Sequence, residues 1–272
     1  MDSERSTAGS RIPDLAAWLQ TPPGQYLLAW EQAQVDAAVA DLFGFHALQL
    51  GMPELDGLQA NRMPHRWLAG RDLLCDFDAL PFESASLDLV LLPHSLELAC
   101  DAHALLREVE RVLRPEGRLV VFGLNPASLW GLRHNVGRLR RGGEPYLPRD
   151  GDFIGYWRLR DWLKLLSFEV EAARFGVYRP PLRSEAWLER WQWVEGVGSR
   201  WWPVLGAVYF IQAVKRVHGM RMIGLAKNGR AAAKKAPAVA LGPANTTTTG
   251  REGRRAGANQ GEARRPHSCA GK

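Results

Sequence analysis

Cysteine is scarce in this 272-residue chain: Cys75, Cys100 and Cys269 are its three, and none falls in a CxxC or CxxH spacing. So few, and odd in number, they speak against a disulfide framework and against a structural zinc, and a reducing cytoplasm is the expected location. Long hydrophobic runs are missing too. The longest, Pro203 to Val214, is too short to cross a bilayer, and the opening MDSERSTAGSR leads into no apolar core of signal-peptide length, so neither an integral membrane segment nor export is expected. Acidic residues thin out towards the end: from His218 onward there are eleven Lys and Arg against two Glu, which leaves residues 1–217 mildly acidic. From Asn228 onward that stretch has almost no large apolar side chains and cannot offset its ordering entropy by burial. It reads as a basic, disordered tail, 218–272, with at most a weak attraction for polyanions.

What remains, residues 1–217, has the composition of one ordinary globular domain, with 46% hydrophobic and 24% charged residues over the chain. Thr21-Pro22-Pro23 has the form of a helix start, followed by Leu27, Leu28, Val35, Val39 and Leu42 and closed by Gly44. Phe45 to Leu50 is a short apolar strand ending in Gly51. Asp72 to Cys75 is a second strand candidate, and Leu87 to Leu92 is apolar enough to be buried on both faces. Asp101 caps a helix carrying Leu105, Leu106, Val109, Val112 and Leu113, which Pro115 and Gly117 stop, and "RLVVFG" (Arg118 to Gly123) is the next strand. Strand, helix, strand implies a parallel α/β sheet, doubly wound, with ligands beyond the carboxyl ends of the strands. Later come a helix, Leu159 to Leu166, a strand, Phe168 to Phe175, a Trp-rich insert at 181–203, and a last strand, Gly206 to Val217. Two closing strands so near each other predict an antiparallel pair.

The stretch "CDFDALPFESASLDLVLLPHSLELACDAHALLREVERVLRPEGRLVVFGLNP", Cys75 to Pro126, resembles the class I S-adenosylmethionine-dependent methyltransferases, in particular their small-molecule, ubiquinone-biosynthesis-like branch. The resemblance lies in D-x-x-x-LPF, S-x-DLV, H-x-LE and LREVERVLRPEG. It implies a Rossmann-like, mainly parallel seven-stranded sheet with an antiparallel final strand, S-adenosyl-L-methionine as cofactor, and a small-molecule methyl acceptor. Carried over residue by residue, Asp76 accepts a hydrogen bond from the adenine amine and Phe77 offers its backbone N–H to the ring. The bland alternative makes Asp76 the cap of a turn. Pro93 is a further cofactor-binding candidate, beside where the methyl group would be presented, and Gly51 and Met52 fall where the methionine part is held. Here the chain departs from the family: "LGMPELDGL" keeps one glycine where the family has several, and Pro53 removes a donor. No acidic residue closes a second strand to take the ribose; Glu54 and Asp56 are the substitutes at hand.

Around the transferred methyl, His94 of "PHSLE" is the candidate general base, since its ordinary pKa lies near neutrality; a helix-start role is its alternative, and the preferred one for Glu97. Asn125 and Arg133 of "NPASLWGLR" can orient a polar or anionic substrate, or start a turn and pack. His46, His65 and His103 share no ligand spacing with a carboxylate, so no metal is expected. The Trp/Arg mixture at 187–202 suits a lid over an apolar substrate, a membrane-interface contact, or a helix packed on the sheet. The single-glycine turn keeps a second reading open, a degenerate domain acting as a non-catalytic binding or scaffold module. Without an NPPY-like tetrapeptide, a nucleic-acid methyltransferase ranks below both.

Overall fold

The computed structural model describes residues 13–139, 146–148 and 152–216. The expected basic tail, 218–272, lies outside them. Thr21 separates two helices, α1 (Pro13–Leu19) and α2 (Pro22–Val39). Its hydroxyl accepts from the Gly24 N–H at 3.4 Å, and Pro22 enters with φ already set, so α2 starts where Thr-Pro-Pro places it. Leu27, Val35 and Val39 recur at multiples of four and form its buried stripe. Glu31 sits on that same stripe and is fully buried.

β1 (His46–Leu50) leads to β2 (His65–Ala69), which pairs with it in parallel from His46↔His65 to Leu50↔Ala69. β3 (Leu87–Pro93) lies on the other side of β1, and a short α3 (Ser95–Leu98) follows. Asp101 caps α4 (Ala102–Val112) by accepting from the N–H groups of His103 and Ala104. That helix buries Leu105, Leu106, Val109 and Val112 on the sheet, each worth ~1.5–3 kcal/mol. β4 (Leu113–Leu124), α5 (Leu129–Leu139), α6 (Tyr156–Leu165) and β5 (Phe168–Gly176) come next. After α7 (Glu185–Arg190), α8 (Trp193–Trp201) and a 3-10 turn at Pro203–Leu205, β6 (Val208–Lys215) closes the sheet.

The strand order is β2-β1-β3-β4-β6-β5, and β6 runs antiparallel to both of its neighbours. Because β4 and β5 both oppose β6, the carboxyl ends of β1, β2, β3, β4 and β5 share one edge. One apolar core lies between the sheet and α4 with α6, and a second lies under α2, the turns at 52–63 and Trp130 of α5. The α/β, Rossmann-like mixed sheet is as expected, but it has six strands among the described residues, not seven. Asp72 to Cys75 is no strand. The Asp72 carboxylate accepts from the Leu68 N–H at 2.9 Å and the Leu73 carbonyl from Gly70, so these residues are spent in a tight turn that keeps only the bridge Ala69↔Leu73. Among the described residues no helix is long and apolar enough to cross a membrane.

Candidate functional site

At the end of β1 the chain turns through Gly51 (φ +74°) and Met52 (φ +49°), a left-handed path that glycine takes without penalty. Gln49, one residue before β1 ends, is buried. Its amide N–H₂ reaches the carbonyls of Gly51 (3.2 Å), Met52 (3.0 Å) and Leu55 (2.8 Å), and its oxygen accepts from the Gly57 N–H (3.1 Å). The turn is therefore wrapped round one side chain. Gly57 has to be glycine for packing, because a Cβ would lie 2.2 Å from Leu91 Cδ2. Met52 points into the core, while on the open side of Gly51 the Phe77 ring lies 3.6 Å from where a Cβ would stand.

Asp76 is exposed at this edge, and its carboxylate accepts no hydrogen bond among the described residues. Partial burial, then the charges of Asp101 and Asp76, push the Asp78 carboxyl up, which places three carboxylates near one another. Asp56 lines a cleft of about 330 Å³ between the turn and β2, together with Gln49, Pro53, Gln59, Arg66 and Arg71.

Past Pro93, buried at the end of β3, comes His94 with φ +56° and 2% exposure. Its Nε2 meets Glu31 Oε1 of α2 at 2.7 Å and its Nδ1 meets Glu97 Oε2 at 3.1 Å. Burial opposes charge on the ring, yet the two carboxylates, Glu31 foremost, prevail and the His94 pKa is pushed up to about 10. Burial raises Glu97 in turn, against the pull of His94 and of the Leu124 N–H bonded to its other oxygen. Both directions hold together, because two carboxylates share a single cation. This arrangement favours a bracing role for His94 over that of a general base. An imidazole already protonated near neutrality, with both nitrogens engaged and no exposure, has no lone pair to offer an acceptor.

Asn125 and Arg133 are likewise committed to the chain itself. The Asn125 amide donates to the carbonyls of Val204 (2.8 Å) and Gly206 (2.9 Å), and its oxygen accepts from the Ala127 N–H. Arg133 donates to the Pro181 carbonyl and stacks on Tyr146 at 4.8 Å. Both side chains, expected to orient substrate, also hold the 177–206 excursion in place. Glu195 of α8 fastens the same excursion, accepting from the Val177 and Tyr178 N–H groups (3.0 and 3.1 Å) and from the Tyr26 hydroxyl of α2. Val177, β-branched, is held at φ +63°, a strained conformation at the root of the excursion. His46 and His65 stack with Trp67, and among the described residues no group of three His, Cys, Asp or Glu can hold a metal.

Comparison with known proteins gives this geometry its class. The profile of the family described as "Methyltransferase domain" matches residues 58–121, from the β1 turn through Asp76 and His94 into β4. An uncharacterized protein of Escherichia coli, YafS, is 36% identical over 179 residues, covering 62% of this chain and 73% of its own length. A biotin biosynthesis bifunctional protein, BioHC, of Saccharophagus degradans is 32% identical over 44% of this chain and 24% of its own. Among solved structures, a methyltransferase dependent on S-adenosylmethionine from Mesorhizobium loti is 14% identical, covering 67% of this chain and 96% of that one with a TM-score of 0.42. The chain belongs to the class I S-adenosylmethionine-dependent methyltransferases, whose cofactor is S-adenosylmethionine.

That cofactor carries an exocyclic amine, a sulfonium and an ammonium group. An unengaged acceptor at Asp76 and the carboxylates beside it suit the amine and the positive charges, and Gly51 leaves backbone open to close approach, with the Phe77 ring as a wall. The residues fit the group. Sequence reasoning missed Gln49, Glu31 and Glu195. The first two left a signal, a polar residue inside an otherwise apolar strand and one inside an apolar helical stripe.

Proposed function

We propose that this methyltransferase acts on a small, largely apolar molecule admitted between the carboxyl edge of the sheet and the 177–206 excursion. The observation that carries the reading is the enclosure of that edge: Asn125 ties down Val204 and Gly206, and Glu195 ties α8 to α2. A rim roofed by the chain's own segments admits a small acceptor more readily than a macromolecule. When bound, S-adenosylmethionine supplies an electrophilic methyl group on sulfur. Asp76 would accept from its adenine amine, the Phe77 N–H would face the ring, Gly51, Met52 and Pro93 would hold the methionine part, and Asp56 or Glu54 would take the ribose. Transfer then needs orientation and exclusion of water more than a base. His94 serves as a brace, fixing α2 to the ends of β3 and β4, and Asn125 shapes the rim.

The test is calorimetric titration of the whole chain with S-adenosylmethionine and S-adenosylhomocysteine, beside Asp76→Ala. We expect micromolar binding in the wild type and a loss of roughly tenfold or more in the variant, the weight of one charge-assisted hydrogen bond. Silence at millimolar ligand in folded protein would instead support the non-catalytic module.

A further inference from the structure

Helix α8 is built inside out. Its inward positions are Glu195, hydrogen-bonded to α2 and the end of β5, and Gly198, where a Cβ would come within 2.5 Å of the Tyr178 ring. Trp193, Val197 and Trp201, four residues apart in turn, form one stripe on the outward face and are 62%, 37% and 71% exposed. Trp202, Val204 and Leu205 continue that apolar surface into the 3-10 turn. α5 repeats the pattern: Leu129, Leu132 and Val136 are exposed at i, i+3 and i+7, while Trp130 is buried with its Nε1–H on the Arg179 carbonyl. Trp130 and Arg133 thus bond α5 to the base of the same excursion. Solvated helices present the opposite pattern, and an apolar outward stripe marks a surface meant to be covered.

We propose that the outward face of α8 and of the turn after it docks on an anionic lipid bilayer surface, with α5 beside it. Charge selects this occupant. Arg190 and Arg200 flank the tryptophans, with Glu185 and Glu189 on α7 on the other side of the balance; the surplus comes from residues 126–139, which hold two arginines and no acid, and from residues 218–272, with eleven Lys and Arg against two Glu. Indole rings prefer the level of lipid headgroups, and stable attachment to a membrane takes two signals, here apolar insertion and a polybasic segment. A second copy meeting this face would offer no acidic surface to the basic residues 218–272, whereas an anionic bilayer does. The excursion rises from the carboxyl edge of the sheet, so docking sets that rim at the bilayer.

The test is flotation of the full chain with vesicles of phosphatidylcholine alone and with roughly a third phosphatidylglycerol. We expect flotation with the anionic vesicles, and about tenfold weaker binding in Trp193→Ser/Trp201→Ser, both sites being exposed. Val197→Glu, a single change on the same stripe, weakens binding in the same sense and covers the case in which the double variant fails to fold. Quenching of indole fluorescence by brominated lipid reads insertion directly. Three results would overturn the proposal: no flotation with either vesicle, flotation that both variants leave unchanged, or a concentration-dependent dimer that the variants abolish.

Discussion

Replacing Glu31 by Gln keeps the shape of the buried contact with His94 and removes its charge. In the wild type the imidazole pKa rises from 6.5 to about 10, which corresponds to ~5 kcal/mol at ~1.36 kcal/mol per pKa unit. That is the order expected for a buried pair whose disruption costs ~3–5 kcal/mol. Glu31, at 2.7 Å, is the larger of the two raising influences, so Glu31→Gln leaves burial opposed only by the more distant Glu97, and the His94 pKa should fall most of the way back to 6.5. The assay is a histidine-detected NMR titration, with the His94 signal assigned by its loss in His94→Gln. Stability gives a second reading. Because the folded pKa lies above the unfolded one, this stabilisation is complete below about pH 6.5 and is lost as pH rises towards 10, at up to ~1.36 kcal/mol per pH unit. Urea unfolding of the wild type should show that decline, and Glu31→Gln should flatten it. A wild-type His94 that titrates near 6.5, or a value that Glu31→Gln leaves in place, would refute the reasoning.

Glu195→Gln leaves one acceptor oxygen for donors that two oxygens now share, those of Tyr26, Val177 and Tyr178. It should cost ~1–3 kcal/mol and speed limited proteolysis between residues 179 and 205; an unchanged cleavage pattern would show that the latch does not hold the excursion. Gln49→Leu preserves bulk but strands three carbonyls and the Gly57 N–H around the β1 turn. We expect a loss of roughly 2–4 kcal/mol in chemical unfolding and weaker S-adenosylmethionine binding by calorimetry, and full affinity in the variant would mean that the turn keeps its shape without Gln49.

The parts of the fold that could be read from the sequence are those where one face decides. The stripe of α4, its Asp101 cap, the apolar run of β3 and the Thr-Pro-Pro start of α2 each have a local physical cause and lie where expected. β2 was missed because "HRWLA" is polar at its start and lies at the sheet edge, with His65 and Arg66 exposed, so alternation is weak. Asp72 to Cys75 was misread as a strand for a related reason. Its apolar content resembles that of a strand, but the Asp72 side chain hydrogen-bonds back to Leu68, a competition with the ladder that composition does not reveal.

At the site, motif and geometry divide the work differently. Gly51, Asp76, Phe77 and Pro93 can be proposed from the resemblance to the family, whereas the side chains that support them belong to no motif. A turn with several glycines obtains its shape from permissive backbone. This turn has Gly51 and then Met52 at positive φ, and the constraint comes from below, where Gln49 gathers the carbonyls of Gly51, Met52 and Leu55 toward the sheet. With those carbonyls held inward, the turn needs glycine at Gly51 for conformation and at Gly57 for contact with Leu91, and tolerates Met52 and Pro53 between them. His94 was legible as a polar residue at the right place and illegible as to role, because the partner that fixes its charge is 63 positions away on α2. A buried glutamate on an apolar helical stripe is costly unless it meets a cation. Glu31 therefore carried half of the answer in sequence, and the topology that lays α2 across the end of β3 supplied the other half.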